Sequence, residues 1–107
     1  LLDDQATQIL AITDAIAERV RKNGHRTLTS ISDITRRQSI SDNDKSSVAA
    51  EAMLKELRDD NLAFVARLRA VKELAGQAGD NATDGIVDDW TDQAQERAWF
   101  LTETLGK

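Results

Sequence analysis

The longest regular feature of the sequence is a helical repeat of apolar residues from about Val48 to Ala78. Its side chains recur at alternating steps of four and three residues, the spacing that places them on one face of an α-helix. The residues of this seam are Ala50, Leu54, Leu57, Asn61, Phe64, Leu68, Val71 and Ala75. A helix of this length spans on the order of 45 Å. It needs partners of similar length to cover its apolar face, so the sequence predicts long helices packed side by side.

The segments on either side of this repeat also have helical spacing, and no stretch alternates for long enough to indicate a strand. A first helix stops at Asn23-Gly24, a common C-terminal signal. A last helix follows Gly79, with Asp80 or Asn81 as its cap, and ends at Gly106. The first helix carries Leu2, Ala6, Ile9, Thr13, Ile16 and Val20, and the last helix carries Val87, Trp90, Ala94, Leu101 and Leu105. The predicted fold class is all-α.

A short amphipathic element separates the first two long helices. Ser30 and Asp33 stand at capping-box-like spacing, and Leu28, Ile31 and Ile34 recur every third residue before a polar loop at 39–47. The segment from Thr27 to Arg37 is predicted to contact its two-fold mate, because this apolar face is too small to be a core by itself. Three long helices with a short inserted helix leave one groove of a four-helix bundle open. A fourth helix, from upstream or from a neighbouring chain, is expected to fill that groove.

Composition limits the classes of function. The 107 residues are 40% apolar and 31% charged, typical of one soluble domain. The chain opens at Leu1 within an apolar-periodic stretch and without a cap, so we expect residues 1–107 to be a single domain that is N-terminally incomplete. The sequence contains no cysteine, which excludes zinc fingers, iron–sulfur clusters and cysteine nucleophiles. The apolar runs are too short for a membrane span, and a cytoplasmic location is expected.

The charge balance argues against binding of DNA by the body of the protein. Asp and Glu number 19 against 14 Lys and Arg, a formal net charge of -5, and such a body repels duplex DNA. Its short cationic clusters, at residues 19–22, 25–26 and 36–37, have no interleaved aromatic residues and are interpreted as solvated surface.

Candidate metal ligands lie on the first helix. Asp14 and Glu18 are one turn apart, and Asp3 lies on the same stripe three turns earlier, with the small residues Thr7 and Ala11 between them. Carboxylates at this spacing repel each other by a few tenths of a kcal/mol, roughly, and a bound cation reverses that sign. Oxygen ligands suit iron. From spacing alone, solvated acids in an acidic protein are the favoured interpretation.

Four other residues have side chains that occur in functional sites. His25 has Lys22 three residues before it, so the Glu-x-x-His motif of an intrasubunit di-iron site is not present at this histidine. We predict that it is an exposed loop residue. Trp90 and Trp99 are expected to pack in the bundle. Asn61 either pins the register of the helices through a hydrogen bond or faces a water-filled edge.

The sequence resembles the Dps family of miniferritins over nearly its whole length. The resemblance rests first on Asp14-Ala15-Ile16-Ala17-Glu18-Arg19, an Asp three residues ahead of Ala-Glu-Arg, followed by Asn23-Gly24. It continues through the segments 27–31, 53–61, 79–83 and 97–101. The order of helix, short helix, long helix and Trp-containing last helix agrees with the same family. The expected architecture is therefore the ferritin-like four-helix bundle, with its first helix upstream of this sequence.

This resemblance implies a ferroxidase that oxidises Fe²⁺ with peroxide or oxygen, stores Fe³⁺ in a hollow shell of twelve subunits, and protects DNA from oxidative damage. Asp14 and Glu18 would be the catalytic iron ligands, and Asp3 would help to bind a second iron. Two histidines from a neighbouring subunit would complete the site across a two-fold interface. They are expected upstream of Leu1, one on the same stripe a turn before Asp3 and the other about three turns earlier.

Asp84, Asp88 and Asp89 are candidates for the acidic pore that admits iron in this family, although Gly85 occupies the commonest pore aspartate position. Acids in the first turns of a helix are also expected because they complement its dipole. Two alternatives to a ferroxidase stay open. One is a DNA-compacting nucleoid protein, which would contact DNA through basic termini, and the other is a purely structural helical scaffold.

Overall fold

The computed structural model describes residues 1–106, and all regular secondary structure in that range is α-helical. The helices are α1 (Leu2–Lys22), α2 (Ile31–Arg37), α3 (Ala50–Gln77) and α4 (Asn81–Thr104). The prediction of an all-α fold with three long helices and one short inserted helix is confirmed. No helix in the described range is both long and apolar enough to cross a membrane. The chain divides into two compact units, one formed by residues 1–41 and the other by the residues that follow.

In the first unit, α1 ends where the sequence predicts. The backbone N–H of Asn23 donates to the carbonyls of Arg19 and Val20, both at 3.2 Å. Gly24 then has a φ of +83°, in the left-handed region that glycine adopts without steric cost. Arginines and a lysine occupy the last turn, where cations complement the negative end of the helix dipole.

The short helix α2 is held by its N-cap. The Ser30 hydroxyl accepts a hydrogen bond from the backbone N–H of Asp33 at 3.1 Å, and the Asp33 carboxylate accepts one from the N–H of Thr29 at 3.3 Å. Asp33 also forms ion pairs with Arg36 and, at 3.9 Å, with Arg37. The predicted pairing of Ser30 with Asp33 is confirmed. The Asp33 carboxylate accepts from the N–H of Thr29, one residue before the N-cap, instead of from the N–H of Ser30 as in a standard capping box.

Between α1 and α2 lies a cleft of about 790 Å³. Its apolar lining comes from Ile16, Ala17 and Val20 on α1 and from Leu28 and Ile34 at α2. Ile31, on the same short helix, is 83% exposed. The first unit therefore presents apolar surface on both sides of an open cleft.

In the second unit, α3 and α4 pack against each other as a hairpin. The turn is a Schellman motif, because the N–H of Asp80 donates to the carbonyl of Ala75 at 2.8 Å and Gly79 has a φ of +72°. Asp80 caps α4 by accepting from the N–H of Thr83 at 3.2 Å. The predicted stop and cap are confirmed, while α3 begins at Ala50, two residues after the predicted Val48.

The core of this unit is the interface of the hairpin. Its buried apolar residues are Val65, Leu68 and Ala75 on α3 and Val87, Trp90, Ala94, Ala98 and Leu101 on α4. Three predictions for this unit were wrong: Ala50 is exposed, Val71 is 42% exposed, and Trp99 is 55% exposed. On α3, the buried face is centred nearer to Val65 than the predicted seam was. On α4, Trp99 lies about 160° around the helix from the buried Leu101, so it is on nearly the opposite side.

Candidate metal centre

Asp14 and Glu18 lie within the regular part of α1, with helical turns on both sides. Both residues are exposed. Four residues along an α-helix correspond to a rise of about 6 Å and place the two side chains on one face. The helix therefore presents two neighbouring carboxylates to the outside of the first unit, as the sequence predicts.

No cation of the described chain forms an ion pair or hydrogen bond with either carboxylate. The nearby arginines make other contacts: Arg19 donates to the side-chain oxygen of Asn23 at 3.2 Å, and Arg21 donates to the carbonyl of His25 at 3.4 Å. These hydrogen bonds help to stabilise the C-terminal end of α1. Asp14 and Glu18 therefore have no structural role as an ion pair within residues 1–106.

Asp3 lies far from the other two acids although it shares their stripe. It is exposed and occupies the first turn of α1, where a carboxylate complements the helix dipole. Eleven residues of helix separate it from Asp14 by about 16 Å. A single ion cannot contact both residues of one chain. Accordingly, no group of three or more His, Cys, Asp or Glu side chains within residues 1–106 could hold a metal ion.

His25 is an exposed residue of the loop after α1, which confirms the prediction for it. Its backbone N–H donates to the carbonyl of Val20 at 3.2 Å, and its own carbonyl accepts from Arg21. The backbone of His25 thus helps to terminate α1.

The candidate pore acids have partners within the chain. Lys72 of α3 forms ion pairs with Asp84 and, at 2.8 Å, with Asp88, and these hydrogen bonds raise the pKa of Lys72. Asp89 accepts a hydrogen bond from Gln93 at 3.4 Å. Lys72 was not singled out in the sequence, since a charge on another helix gives no local signal of its partner. Two of the three acids therefore also stabilise the hairpin.

Asn61 hydrogen-bonds across the hairpin. Its side-chain oxygen accepts from Arg97 Nε at 2.8 Å, and its amide nitrogen donates to the carbonyl of Leu57 at 2.8 Å. Asn61 is 6% exposed and Arg97 only 1% exposed. Burial lowers the pKa of Arg97 because desolvation disfavours the charged guanidinium. The hydrogen bond that one of the two interpretations of Asn61 expected is thus present, and Asn61 does not face a water-filled edge of the hairpin.

Sequence reasoning missed Arg97 as the partner of Asn61. A signal was present, because position 97 lies four residues before Leu101 and three after Ala94, on the buried stripe of α4.

The ferritin-like domain family matches residues 1–107. The chain belongs to this ferritin-like family. Among solved structures, Dps from Thermosynechococcus elongatus matches with a TM-score of 0.93 and 21% identity, covering 98% of this chain and 66% of that one. Dps from Staphylococcus aureus matches with a TM-score of 0.90 and 19% identity, covering 96% of this chain and 68% of that one. No curated protein matches the chain significantly.

At these identities the likeness establishes the fold, so the ferritin-like bundle expected from the sequence is confirmed and the Dps resemblance holds at the level of the fold. The chain spans about two thirds of the length of each Dps chain.

Proposed function

We propose that this ferritin-like chain is a Dps-type miniferritin that oxidises Fe²⁺ at a site between subunits and stores Fe³⁺ in a hollow shell. The observation that carries the proposal is the exposed pair Asp14 and Glu18. An α-helix gains nothing from two repelling carboxylates at this spacing, and no cation within residues 1–106 forms an ion pair with either of them. An iron ion bound between them would offset it.

The chemistry of the pair fits iron as the substrate. Carboxylate oxygens are hard ligands, so they favour Fe³⁺ over Fe²⁺ and thereby promote loss of an electron. Each Fe²⁺ gives up one electron, and one molecule of peroxide takes up two electrons and two protons to form two waters. Removing Fe²⁺ in this way would protect DNA from the oxidants that free Fe²⁺ generates.

Two carboxylates form only half of a coordination sphere. The resemblance to Dps proteins implies that histidines of a neighbouring subunit complete it. Asp14 and Glu18 would then be the catalytic ligands that one subunit contributes to a shared centre.

Asp3 would act in the site of the neighbouring subunit. Because about 16 Å of helix separates it from Asp14 of its own chain, it could join a shared centre only by approaching the Asp14 and Glu18 of a partner. Antiparallel pairing of two α1 helices about a two-fold axis would bring each Asp3 towards the opposite Asp14. Such a pair contains two equivalent sites.

The apolar surface of the first unit supports self-association. Leu28, Ile31 and Ile34 are each at least half exposed, and the cleft beside them is open. Burying a fully exposed aliphatic side chain is worth about 1.5–3 kcal/mol. We propose that this surface lies in the two-fold contact and that further contacts build the dodecamer.

The proposal is tested by replacing both acids with their amides, Asp14→Asn and Glu18→Gln. We expect the double variant to lose Fe²⁺ oxidation, followed by absorbance of Fe³⁺, while light scattering gives the same particle size as the unmodified protein. The matched control is Glu56→Gln with Asp60→Asn, another carboxylate pair one turn apart, on α3. The control should oxidise Fe²⁺ normally, and undiminished oxidation in the first variant would refute the assignment.

A further inference from the structure

The last turn of α1 leads into Asn23-Gly24, the one Asn-Gly dipeptide of the sequence. Both residues are exposed. Gly24 has a φ of +83°, and a Cβ built on it would meet no atom within 4 Å. The main chain after Asn23 is therefore hindered neither by a side chain on the next residue nor by a neighbouring part of the fold.

An asparagine followed by glycine can react with its own main chain. The backbone nitrogen of Gly24 forms a bond to the side-chain Cγ of Asn23, and the bond from Cγ to Nδ2 breaks. The proton of the attacking nitrogen leaves with the amide group as ammonia, so a five-membered succinimide remains. One water then opens this ring at either carbonyl, which gives aspartate or isoaspartate. The reaction consumes only that water.

Arg19 lies where it would promote the first step. Its Nη2 donates a hydrogen bond to Asn23 Oδ1 at 3.2 Å. When the nitrogen of Gly24 attacks Cγ, negative charge develops on this oxygen, and a cationic donor already in place stabilises that charge. Arg21 and Lys22 add positive charge in the same turn, which favours loss of the proton from the attacking nitrogen.

The cap of α1 limits the rate of the reaction. The N–H of Gly24 donates to the carbonyl of Arg21 at 2.9 Å, so this hydrogen bond must open before the nitrogen can turn towards Cγ. The end of a helix opens locally at a much lower cost than global unfolding. The reaction therefore proceeds from the open form of the last turn, and it is slower in the folded protein than in the unfolded chain.

We propose that Asn23 is a site of spontaneous deamidation, which converts it through a succinimide to aspartate and isoaspartate, and that Arg19 promotes the reaction. Isoaspartate adds a methylene to the main chain at the cap. It therefore moves the N–H groups of Gly24 and His25 away from the carbonyls that they bond at the end of α1. The proposal does not depend on iron binding at Asp14 and Glu18.

The first experiment follows the asparagines of the assembled, full-length protein during incubation at mildly alkaline pH. Peptide mapping by mass spectrometry should find the amide-to-acid conversion at Asn23 before Asn43 and Asn81, because a residue with a Cβ follows each of those two. A methyltransferase specific for isoaspartate should label the same peptide. The reference is the same protein unfolded in guanidinium chloride. If Asn23 stays intact in the folded protein until the reference is fully converted, the proposal is wrong.

The second experiment tests the role of Arg19. Arg19→Met removes the donor to Asn23 Oδ1 and should slow the conversion about tenfold, less than in a water-excluded enzyme site because the contact is exposed. The matched control is Arg21→Met, which removes the same charge but a hydrogen bond to His25 instead.

Each conversion rate is divided by the rate of amide exchange at Gly24, which measures how often the end of α1 opens in that variant. After this correction, Arg21→Met should slow the conversion clearly less than Arg19→Met does. Equal corrected rates in the two variants would refute the role of Arg19. In guanidinium chloride, where the contact from Arg19 to Asn23 is absent, both variants should react at the same rate.

Discussion

Removing the acceptor of a buried arginine should destabilise the fold strongly. In Asn61→Leu, Arg97 Nε loses the amide oxygen that accepts from it at 2.8 Å, while the guanidinium remains 1% exposed. A hydrogen bond to a charged group contributes about 1.5–3 kcal/mol, and the buried donor left behind adds desolvation cost. Arg97 retains a further interaction in the variant. We therefore expect the free energy of unfolding to fall by about 2–3 kcal/mol, which is less than the roughly 3–5 kcal/mol lost when a buried charge is left with no partner.

The assay is urea unfolding followed by circular dichroism. Protein concentration must be fixed, because the stability of an oligomer depends on it. In a domain of about 100 residues, a loss of 2–3 kcal/mol corresponds to a fall in Tm of roughly 10–20 °C.

The double variant Asn61→Leu with Arg97→Met is the matched control. It removes both polar partners, so it should recover most of the loss, since apolar replacement of a whole buried polar pair is often nearly neutral. A single variant that costs less than about 0.5 kcal/mol, within the range of ordinary surface substitutions, would refute the reasoning. So would a double variant as unstable as the sum of the two single variants.

Two further predictions concern local interactions. Ser30→Ala removes the N-cap acceptor for the Asp33 N–H and should cost about 1 kcal/mol, seen as faster amide exchange in α2, whereas Ser39→Ala in the loop should leave exchange unchanged. The hydrogen bonds to Asp84 and Asp88 raise the pKa of Lys72 in the folded protein. They therefore stabilise the fold fully below the lysine pKa of about 10.4 in unfolded chains, and this stabilisation is lost as pH rises through the higher pKa of the folded state. Lys72→Met should therefore flatten the alkaline fall in Tm, and an unchanged profile would contradict the ion pairs.

Features set by neighbouring residues were predictable from the sequence. The end of α1 at Asn23-Gly24 and the caps at Ser30 and Asp80 all depend on groups a few residues apart, so local patterns contain the needed information. The partner of Asn61 was not found, because Arg97 lies 36 residues away and its side chain is usually exposed. Trp99 was predicted to pack in the bundle because it is aromatic, although its position on α4 is nearly opposite the buried Leu101.

For the candidate site, the sequence predicted that Asp14 and Glu18 share one face of α1, since the geometry of a helix alone decides that. The rest of the site could not be derived in this way. Ligands that reach a centre from another subunit have no fixed spacing relative to Asp14 in one sequence, and the distance of Asp3 along α1 shows only that it cannot join its own chain's pair.

The most direct test of a site shared between subunits is complementation by mixing. Shells of Asp3→Asn, and shells of Asp14→Asn with Glu18→Gln, should each oxidise Fe²⁺ poorly, because every site lacks a ligand. When equal amounts are dissociated and reassembled together, half of the two-fold pairs are mixed, and each mixed pair regains one of its two sites. We predict that Fe²⁺ oxidation then rises towards about a quarter of the unmodified rate, whereas a mixture no more active than its two components would contradict the intersubunit site.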